Sequence, residues 1–174
     1  MTTNETSTRM RAELVALLPR LRRFARNLTR NPHDADDVVQ IALERALSRS
    51  DQWRSDARLD SWMFKIIRNA WIDSLRARTR HDRIFDPDAS GEAVAESAGH
   101  SRLERESDLL AVQSAMARLP DDQRIAVSLV LVEGLAYKEA AEVLDIPIGT
   151  LTSRLARGRE ELQALLAPHM EDGT

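Results

Sequence analysis

The chain has 174 residues and a formal net charge of −3, with 25 Lys and Arg against 28 Asp and Glu. This balance excludes the basic excess that is typical of a free-standing, non-specific DNA-binding protein, so any contact with nucleic acid must use local patches and the help of a partner. Cysteine is absent, which excludes disulfides and metal sites built from thiolates.

The composition predicts an all-α protein without a catalytic centre. Gly and Pro number only six each, and the abundant Ala, Leu, Arg and Glu favour helices. The four histidines lie far apart, and no nucleophile, phosphate-binding loop or metal constellation is evident, so we expect no enzymatic activity, cofactor, metal or small-molecule substrate. The N-terminal MTTNETST lacks the apolar core of a signal peptide, and IAVSLVLV is too short to cross a bilayer. We therefore expect a cytoplasmic protein without membrane contacts.

Three helices are predicted in the first half of the chain. The first covers about 9–30 and ends at an Asn-Pro step. The second follows to about residue 47, and Asp34 is predicted to cap its N-terminus, where the helix dipole favours acids. After a loop, the third begins at Asp60 or Ser61 and continues to about residue 80.

The first two of these helices expose faces of opposite charge. Residues 20–30 hold five arginines and no acid, which we interpret as a solvated basic face beside an apolar stripe. On the second helix Asp37, Gln40 and Glu44 lie opposite the apolar positions. An acidic face is a poor DNA surface, so we interpret it as a candidate docking surface for protein.

The third helix combines an apolar stripe with a polar, basic face. Trp62 belongs to the stripe and is predicted to be a core residue, whereas Trp71 is nine residues further on and lies off the stripe. Aromatic rings beside a basic groove can stack unpaired bases, although a structural role for Trp71 remains open. The polar face comprises Lys65, Arg68, Asn69 and Arg76.

Residues 81–107 change the character of the chain. They contain seven acidic and three basic residues and little that could form a core, so we interpret them as a flexible acidic linker. Helices are predicted again over 108–119 and 120–134, although VSLVLV within the second could also be a strand.

A helix-turn-helix is predicted next. Its first helix covers about 136–144, and Asp145 stands where the chain must leave the helix with left-handed geometry. Pro147 prevents continuation, and Thr150 is predicted to cap the second helix.

The second helix of this pair has an apolar stripe and a hydroxyl-rich basic face. Leu151 and Leu155 begin the stripe, with Gly158 placed for close helix approach. Arginine can bridge a guanine edge, and hydroxyls can reach bases or phosphates, so the opposite face suits the major groove of DNA. The candidate DNA-binding residues are Thr150, Thr152, Ser153, Arg154, Ala156 and Arg157.

Three motifs in this order resemble the extracytoplasmic-function (ECF) group of bacterial RNA polymerase sigma factors. They are DADDVVQIALERA, SWMFKIIRNAWIDSLRAR and LPDDQRIAVSLVLVEGLAYKEAAEVLDIPIGTLTSRLARGREEL. The resemblance implies two small helical domains, sigma2 and sigma4, joined by a linker. We divide the chain into a disordered N-terminal tail (1–9), sigma2 (10–80), the linker (81–107), sigma4 with the helix-turn-helix (108–167) and a C-terminal tail (168–174).

The resemblance also implies partners and roles. Core RNA polymerase would bind through its clamp and its flap, promoter DNA through the −10 and −35 elements, and an anti-sigma factor would inhibit the chain. Asp37, Gln40 and Glu44 would dock on the clamp, and the face of 150–157 would read the −35 element. The residues that would melt the −10 element are Lys65, Arg68, Asn69, Trp71, Asp73 and Arg76.

Two other functions remain open from the residues alone. A stand-alone helix-turn-helix regulator would need an effector domain, which residues 10–80 do not resemble. A helical adaptor that binds only protein would leave the basic, hydroxyl-rich face without a role. The linker of 27 residues reaches at most roughly 90 Å, and two turns of DNA cover about 70 Å, so one chain could contact two promoter elements.

Overall fold

The computed structural model describes residues 3–50, 53, 58–85 and 105–171. Within these ranges the secondary structure is helical, which confirms the predicted all-α class. The chain divides into two compact units, Met1–Ala93 and Val94–Thr174. The helices are α1 (Thr3–Thr29), α2 (Pro32–Ser48) and α3 (Leu59–Phe85) in unit 1, and α4 (Arg105–Arg118), α5 (Asp121–Val127), α6 (Tyr137–Leu144) and α7 (Ile148–Glu171) in unit 2.

Several helix ends differ from the predicted domain limits. Residues 3–9, predicted as a disordered tail, belong to α1, and 168–171 of the predicted C-terminal tail belong to α7. Helices extend this far because each added residue contributes a hydrogen bond without a new nucleation step. The predicted linker is helical at 81–85 and 105–107, and its middle, 86–104, lies outside the described residues.

Unit 1 is a three-helix arrangement around an aromatic pair. Each of the three helices packs against the other two. Phe24 of α1 and Phe64 of α3 are fully buried and meet edge to face, with ring centroids 4.9 Å apart. Phe64 lies outside the predicted apolar stripe of α3, which comprises Trp62, Met63, Ile66, Ile67 and Ala70. The single-stripe prediction was too narrow, because a helix that contacts two neighbours buries a wider sector than one stripe.

The cap of α2 also corrects a prediction. Asn31, not Asp34, is the N-cap, and its Oδ1 accepts hydrogen bonds from the amides of His33 at 2.8 Å and Asp34 at 3.3 Å. Pro32 occupies the first helical turn, where its fixed φ and missing N–H are no handicap. The Asp34 carboxylate is therefore available for a partner on another helix.

Ion pairs connect the helices of unit 1. Asp60, buried at the start of α3, accepts hydrogen bonds from Arg20 of α1 at 3.0 Å and from Arg58 at 2.7 Å. Burial raises the pKa of Asp60, but the hydrogen bonds from the two arginines and the Ser61 amide outweigh it, and the pKa lies below 3.8. The carboxylate is thus charged at neutral pH.

Unit 2 packs α5 closely against α7. Val127 and Leu155 lie in a buried cluster with Met116 and Leu119. A Cβ added at Gly158 would lie only 2.8 Å from the Val127 Cγ2 atom. The predicted close approach at Gly158 is therefore confirmed, because no larger residue fits there without movement.

The segment that could have been a strand is helical. After α5 the chain makes a π-helical turn at Ser128–Val132, in which the Glu133 amide donates to the Ser128 carbonyl at 2.9 Å. Gly134 then ends the helix with a φ of +72°, as predicted for a glycine C-cap. No helix within the described ranges is long and apolar enough to span a membrane.

Candidate nucleic-acid interface

A tight turn joins α6 to α7 and sets the start of the second helix. Asp145 is left-handed, with φ 53° and ψ 48°, which confirms its predicted role at the helix end. Pro147 follows, and its carbonyl accepts hydrogen bonds from the amides of Thr150 at 3.0 Å and Leu151 at 3.1 Å. The helix thus begins at Ile148, before Thr150, so the prediction of Thr150 as its cap was wrong. The Pro147 ring cannot donate a hydrogen bond, which makes it a natural start.

One side of α7 presents the predicted hydroxyl-rich face to solvent. Thr152, Ser153, Ala156 and Arg157 are exposed, and Thr150 is half-exposed. The Thr152 hydroxyl donates to the Ile148 carbonyl at 2.8 Å, and the Ser153 hydroxyl donates to the Thr150 carbonyl at 3.0 Å. Because their protons are directed to the backbone, both hydroxyls present acceptor lone pairs outward. In this state they suit base amino groups better than phosphates.

The two arginines of this face differ in their surroundings. The Arg154 Nε atom lies 3.2 Å from Asp122 Oδ2 at the start of α5, and the Arg154 side chain is 31% exposed. Arg157 is exposed one turn later. Arg154 is therefore already engaged within unit 2, whereas Arg157 extends from the predicted DNA face.

A second polar face lies on α3. Lys65, Asn69 and Arg76 are exposed, and Arg68 is half-buried, with its Nη1 atom 3.4 Å from Asn69 Oδ1. At about 100° per residue these four positions fall on one side of the helix. Asp73 is exposed beside them and accepts a hydrogen bond from Arg45 of α2 at 2.9 Å. The structure thus brings together five of the six residues predicted for the −10 element.

Trp71 is the exception. It is half-buried and lies on a different side of α3. The Arg78 guanidinium carbon lies 5.5 Å from its ring centroid, within the range of a cation–π contact. A base that stacks on this face of Trp71 would have to displace Arg78.

Arg78 is itself held by α2. Its Nη1 atom donates to Asp34 Oδ2 at 2.9 Å, and its Nη2 atom donates to the second carboxylate oxygen. The hydrogen bond from Arg78 lowers the pKa of Asp34 below 3.8, so the pair is charged at neutral pH. Sequence reasoning missed Arg78. Its spacing of seven residues from Trp71, about two helical turns, was the available signal.

The acidic face of α2 is exposed as predicted. Asp37, Gln40 and Glu44 are all accessible to solvent. The Gln40 amide donates to Glu44 Oε1 at 3.1 Å, so these two side chains lie together along the helix. The buried side of α2 comprises Ala35, Val38, Val39, Ala42 and Ala46.

Comparison with known families identifies the family to which the chain belongs. The family model for sigma-70 region 2 matches residues 14–81, which include α2 and most of α3. The model for sigma-70 region 4 matches 109–162, which include the helix-turn-helix. The ECF RNA polymerase sigma factor EcfG of Rhodopseudomonas palustris is 35% identical over 157 residues, covering 90% of this chain and 84% of the relative.

The chain belongs to the ECF sigma factors. As such it directs core RNA polymerase to promoters. These family matches confirm the resemblance that the three sequence motifs indicated. The sigma factor is also similar to SigM of Mycobacterium tuberculosis, with 38% identity over 146 residues, 84% of this chain and 71% of the relative.

Solved structures agree with this assignment. The sigma factor RpoE of Bartonella quintana, solved with the anti-sigma factor NepR, matches with a TM-score of 0.75 and 33% identity, over 90% of this chain and 96% of that chain. CnrH, solved with the cytosolic domain of CnrY, shares the fold with a TM-score of 0.65 and 23% identity.

The burial of the tryptophans differs from the prediction. Trp62, predicted as core, is half-buried, whereas Trp53 in the preceding loop is buried. Among the described residues, no group of three or more His, Asp or Glu side chains is arranged to hold a metal ion.

Proposed function

We propose specific roles for three exposed faces of this sigma factor: α7 reads the −35 element, α3 opens the −10 element, and α2 docks on the polymerase. The observation that carries the proposal is the accessible polar face of α7, which holds Arg157 and two outward-facing hydroxyl oxygens in a chain of net charge −3. A local face of this kind gives selectivity, while a large partner supplies most of the affinity.

On α7, Arg157 is the residue best suited to read a base. Its exposed guanidinium can make a bidentate contact with the O6 and N7 atoms of guanine. Ala156, exposed beside it, can meet a thymine methyl group. Arg154 is engaged by Asp122 at 3.2 Å, so we assign it the orientation of α7 and a contact at the margin of the groove.

On α3, Lys65, Arg68 and Arg76 would hold phosphates of the opened strand while Asn69 contacts a base. An exposed amide offers both donors and an acceptor to the edge of an unpaired base. Trp71 would take part after Arg78 moves from its ring. Opening would be driven by binding energy, not by hydrolysis.

On α2, the face of Asp37, Gln40 and Glu44 would bind a basic surface of the polymerase clamp, because it is exposed and carries two carboxylates. The apolar residues Leu131 and Val132 at the end of the π-helical turn are also exposed, and we assign them to the polymerase flap. The order of a sigma2 domain, a linker and a sigma4 domain along the chain is part of this proposal.

We also propose an anti-sigma factor as a partner and the bacterial cytoplasm, where promoter DNA lies, as the site of action. Two structural relatives were solved in complex with anti-sigma factors. By this likeness, the same class of protein would control this one.

Run-off transcription with core polymerase tests the roles. Wild-type chain is expected to support promoter-specific initiation, and a gel shift should show tight promoter binding only with core polymerase. Arg157→Ala should impair initiation at promoters that depend on the −35 element, and Asn69→Ala should impair opening while polymerase association persists. A variant that transcribes normally would refute its assigned role. Tight, specific binding of the free chain to a duplex would instead indicate a stand-alone regulator.

A further inference from the structure

The outer face of α1 carries a row of arginines that none of the three proposed surfaces uses. We call Arg11, Arg22, Arg23 and Arg26 the basic stripe. All four side chains are exposed. At about 100° per residue they fall within a sector of about 120° on one side of the helix. The stripe is about 22 Å long, because 15 residues separate its ends at about 1.5 Å each.

A fifth arginine shows that the stripe is a distinct feature. Arg20 turns away from it, donates to Asp60 at 3.0 Å and lies over the Phe64 ring at 5.7 Å. That arginine has a structural role in the packing of α1 on α3. In the stripe, Arg22 Nε lies 4.0 Å from Asp36 Oδ1, and both side chains are exposed, so this ion pair is weak.

The sector of the stripe lacks acids and anchors for protein. Residues 14–33 contain no Asp or Glu, and Glu13 lies on another side of α1, where it pairs with Arg9 at 2.8 Å. The apolar residues in the sector are Ala12, Val15 and Pro19, all exposed, with Val15 at 67%, and none of them is aromatic. Protein interfaces concentrate aromatic and large apolar residues at their centre, so this sector is better suited to an anionic polymer.

We propose that the basic stripe binds the phosphate backbone of promoter DNA as a contact independent of sequence, separate from the −10 and −35 faces. A guanidinium presents a fork of donors that matches two phosphate oxygens. Along a duplex, each strand carries one phosphate per about 3.4 Å of axis, so a stripe of about 22 Å can face about six phosphates. The inference rests on the proposed function only in naming the DNA as promoter DNA.

Salt dependence provides the test, because each neutralised phosphate of a duplex changes the slope of log K against log salt by about 0.9. The full-length chain without polymerase is titrated onto a labelled duplex that lacks promoter elements, and fluorescence anisotropy is measured at several salt concentrations. The variant Arg22→Gln/Arg26→Gln should reduce the slope by about 1.8. Arg22→Lys/Arg26→Lys keeps both charges and should retain most of the slope.

The single variants Arg26→Gln and Arg9→Gln are compared next, with an expected reduction of the slope by about 0.9 for Arg26→Gln; Arg9→Gln is its matched control. It removes the same charge from the same helix but at a residue that pairs with Glu13 outside the sector, so its slope should equal that of the wild type. Circular dichroism confirms that each variant stays helical. Equal slopes for the wild type and Arg22→Gln/Arg26→Gln, or no binding of the wild type at low salt, would overturn the proposal.

Assembly with core polymerase is measured separately with the same variants. If Arg22→Gln/Arg26→Gln loses polymerase or an acidic protein partner while its DNA slope is unchanged, the stripe is a protein surface and the proposal is wrong. Failure of the wild type to assemble with polymerase would refute the proposed function instead, and the slopes of the free chain would still decide the role of the stripe.

Discussion

The two units of this sigma factor hold their helices together in different ways. In unit 1, charged pairs connect each helix to another around the Phe24–Phe64 contact: Arg20 with Asp60, Arg45 with Asp73, and Arg78 with Asp34. In unit 2, α5 and α7 approach so closely that Gly158 has no room for a side chain.

This difference predicts that the stabilities of the two units respond to different changes. Unit 1 should respond to charge and pH, because buried or half-buried carboxylates must stay ionised for its pairs to persist. Unit 2 should respond to volume, because close-packed interiors relax only partially around an added group. All three tryptophans lie in unit 1, so tryptophan fluorescence reports on unit 1, while circular dichroism reports on both units.

The largest expected effect is in unit 2. Gly158→Leu should lower its free energy of unfolding by about 3 kcal/mol, because the new side chain meets Val127 and Gln123. Chemical denaturation followed by circular dichroism should show an early transition, while the tryptophan transition stays in place. Gly149→Leu is the control, since a Cβ at Gly149 has nothing within 4 Å. An equal loss in both variants would contradict the packing argument.

A smaller effect is expected for the charge network of unit 1. Asp60→Asn should destabilise unit 1 by about 2 kcal/mol, because it leaves Arg20 and Arg58 without their shared carboxylate. The midpoint of urea denaturation by tryptophan fluorescence measures the change. Asp36→Asn, at an exposed residue, should leave the midpoint nearly unchanged. Similar midpoints for the two variants would show that the network contributes little.

The pH dependence of unit 1 follows from the same carboxylates. The pKa values of Asp34 and Asp60 are both lowered from 3.8 in the folded protein. Their contribution to stability is therefore complete above pH 3.8 and is lost as the pH falls through the folded pKa values. The stability of unit 1, measured by tryptophan fluorescence, should fall over this acidic range. The double variant Asp34→Asn/Asp60→Asn should show a shallower fall, and an unchanged profile would exclude these two groups as the cause.

The smallest effect is expected for the exposed side of the network. A double-mutant cycle with Arg78→Gln and Asp34→Asn should give a coupling energy below about 1 kcal/mol, because Arg78 is largely exposed and solvent screens the pair. The emission of Trp71 should change in both single variants, since each removes or releases the guanidinium over its ring. A coupling energy of several kcal/mol would show that this pair, not Asp60, dominates the stability of unit 1.

Local features could be predicted from the sequence where a backbone conformation favours a particular residue type. The left-handed Asp145 and the helix end at Gly134 depend on backbone geometry within a few residues, and the structure confirms them. The close approach at Gly158 is also confirmed, but its neighbour is Val127 of α5, which the sequence did not identify. The cap of α2 was missed because Asn31 and Asp34 are both good capping residues, and only the described hydrogen bonds distinguish them. The roles of the three exposed faces stay predictions.

The amino-acid sequence by itself determined that the protein is helical, that it contains a helix-turn-helix and that its ordered motifs resemble those of the ECF sigma factors. Periodicity, turn chemistry and motif order can all be read from the sequence. Only the tertiary structure decided which arginines are available. It turns Arg20 toward Asp60, places Arg78 over Trp71 and leaves Arg22 and Arg26 in solvent. The reason is physical: the partner of a charged side chain depends on which helix packs beside it, and that helix is distant in the sequence.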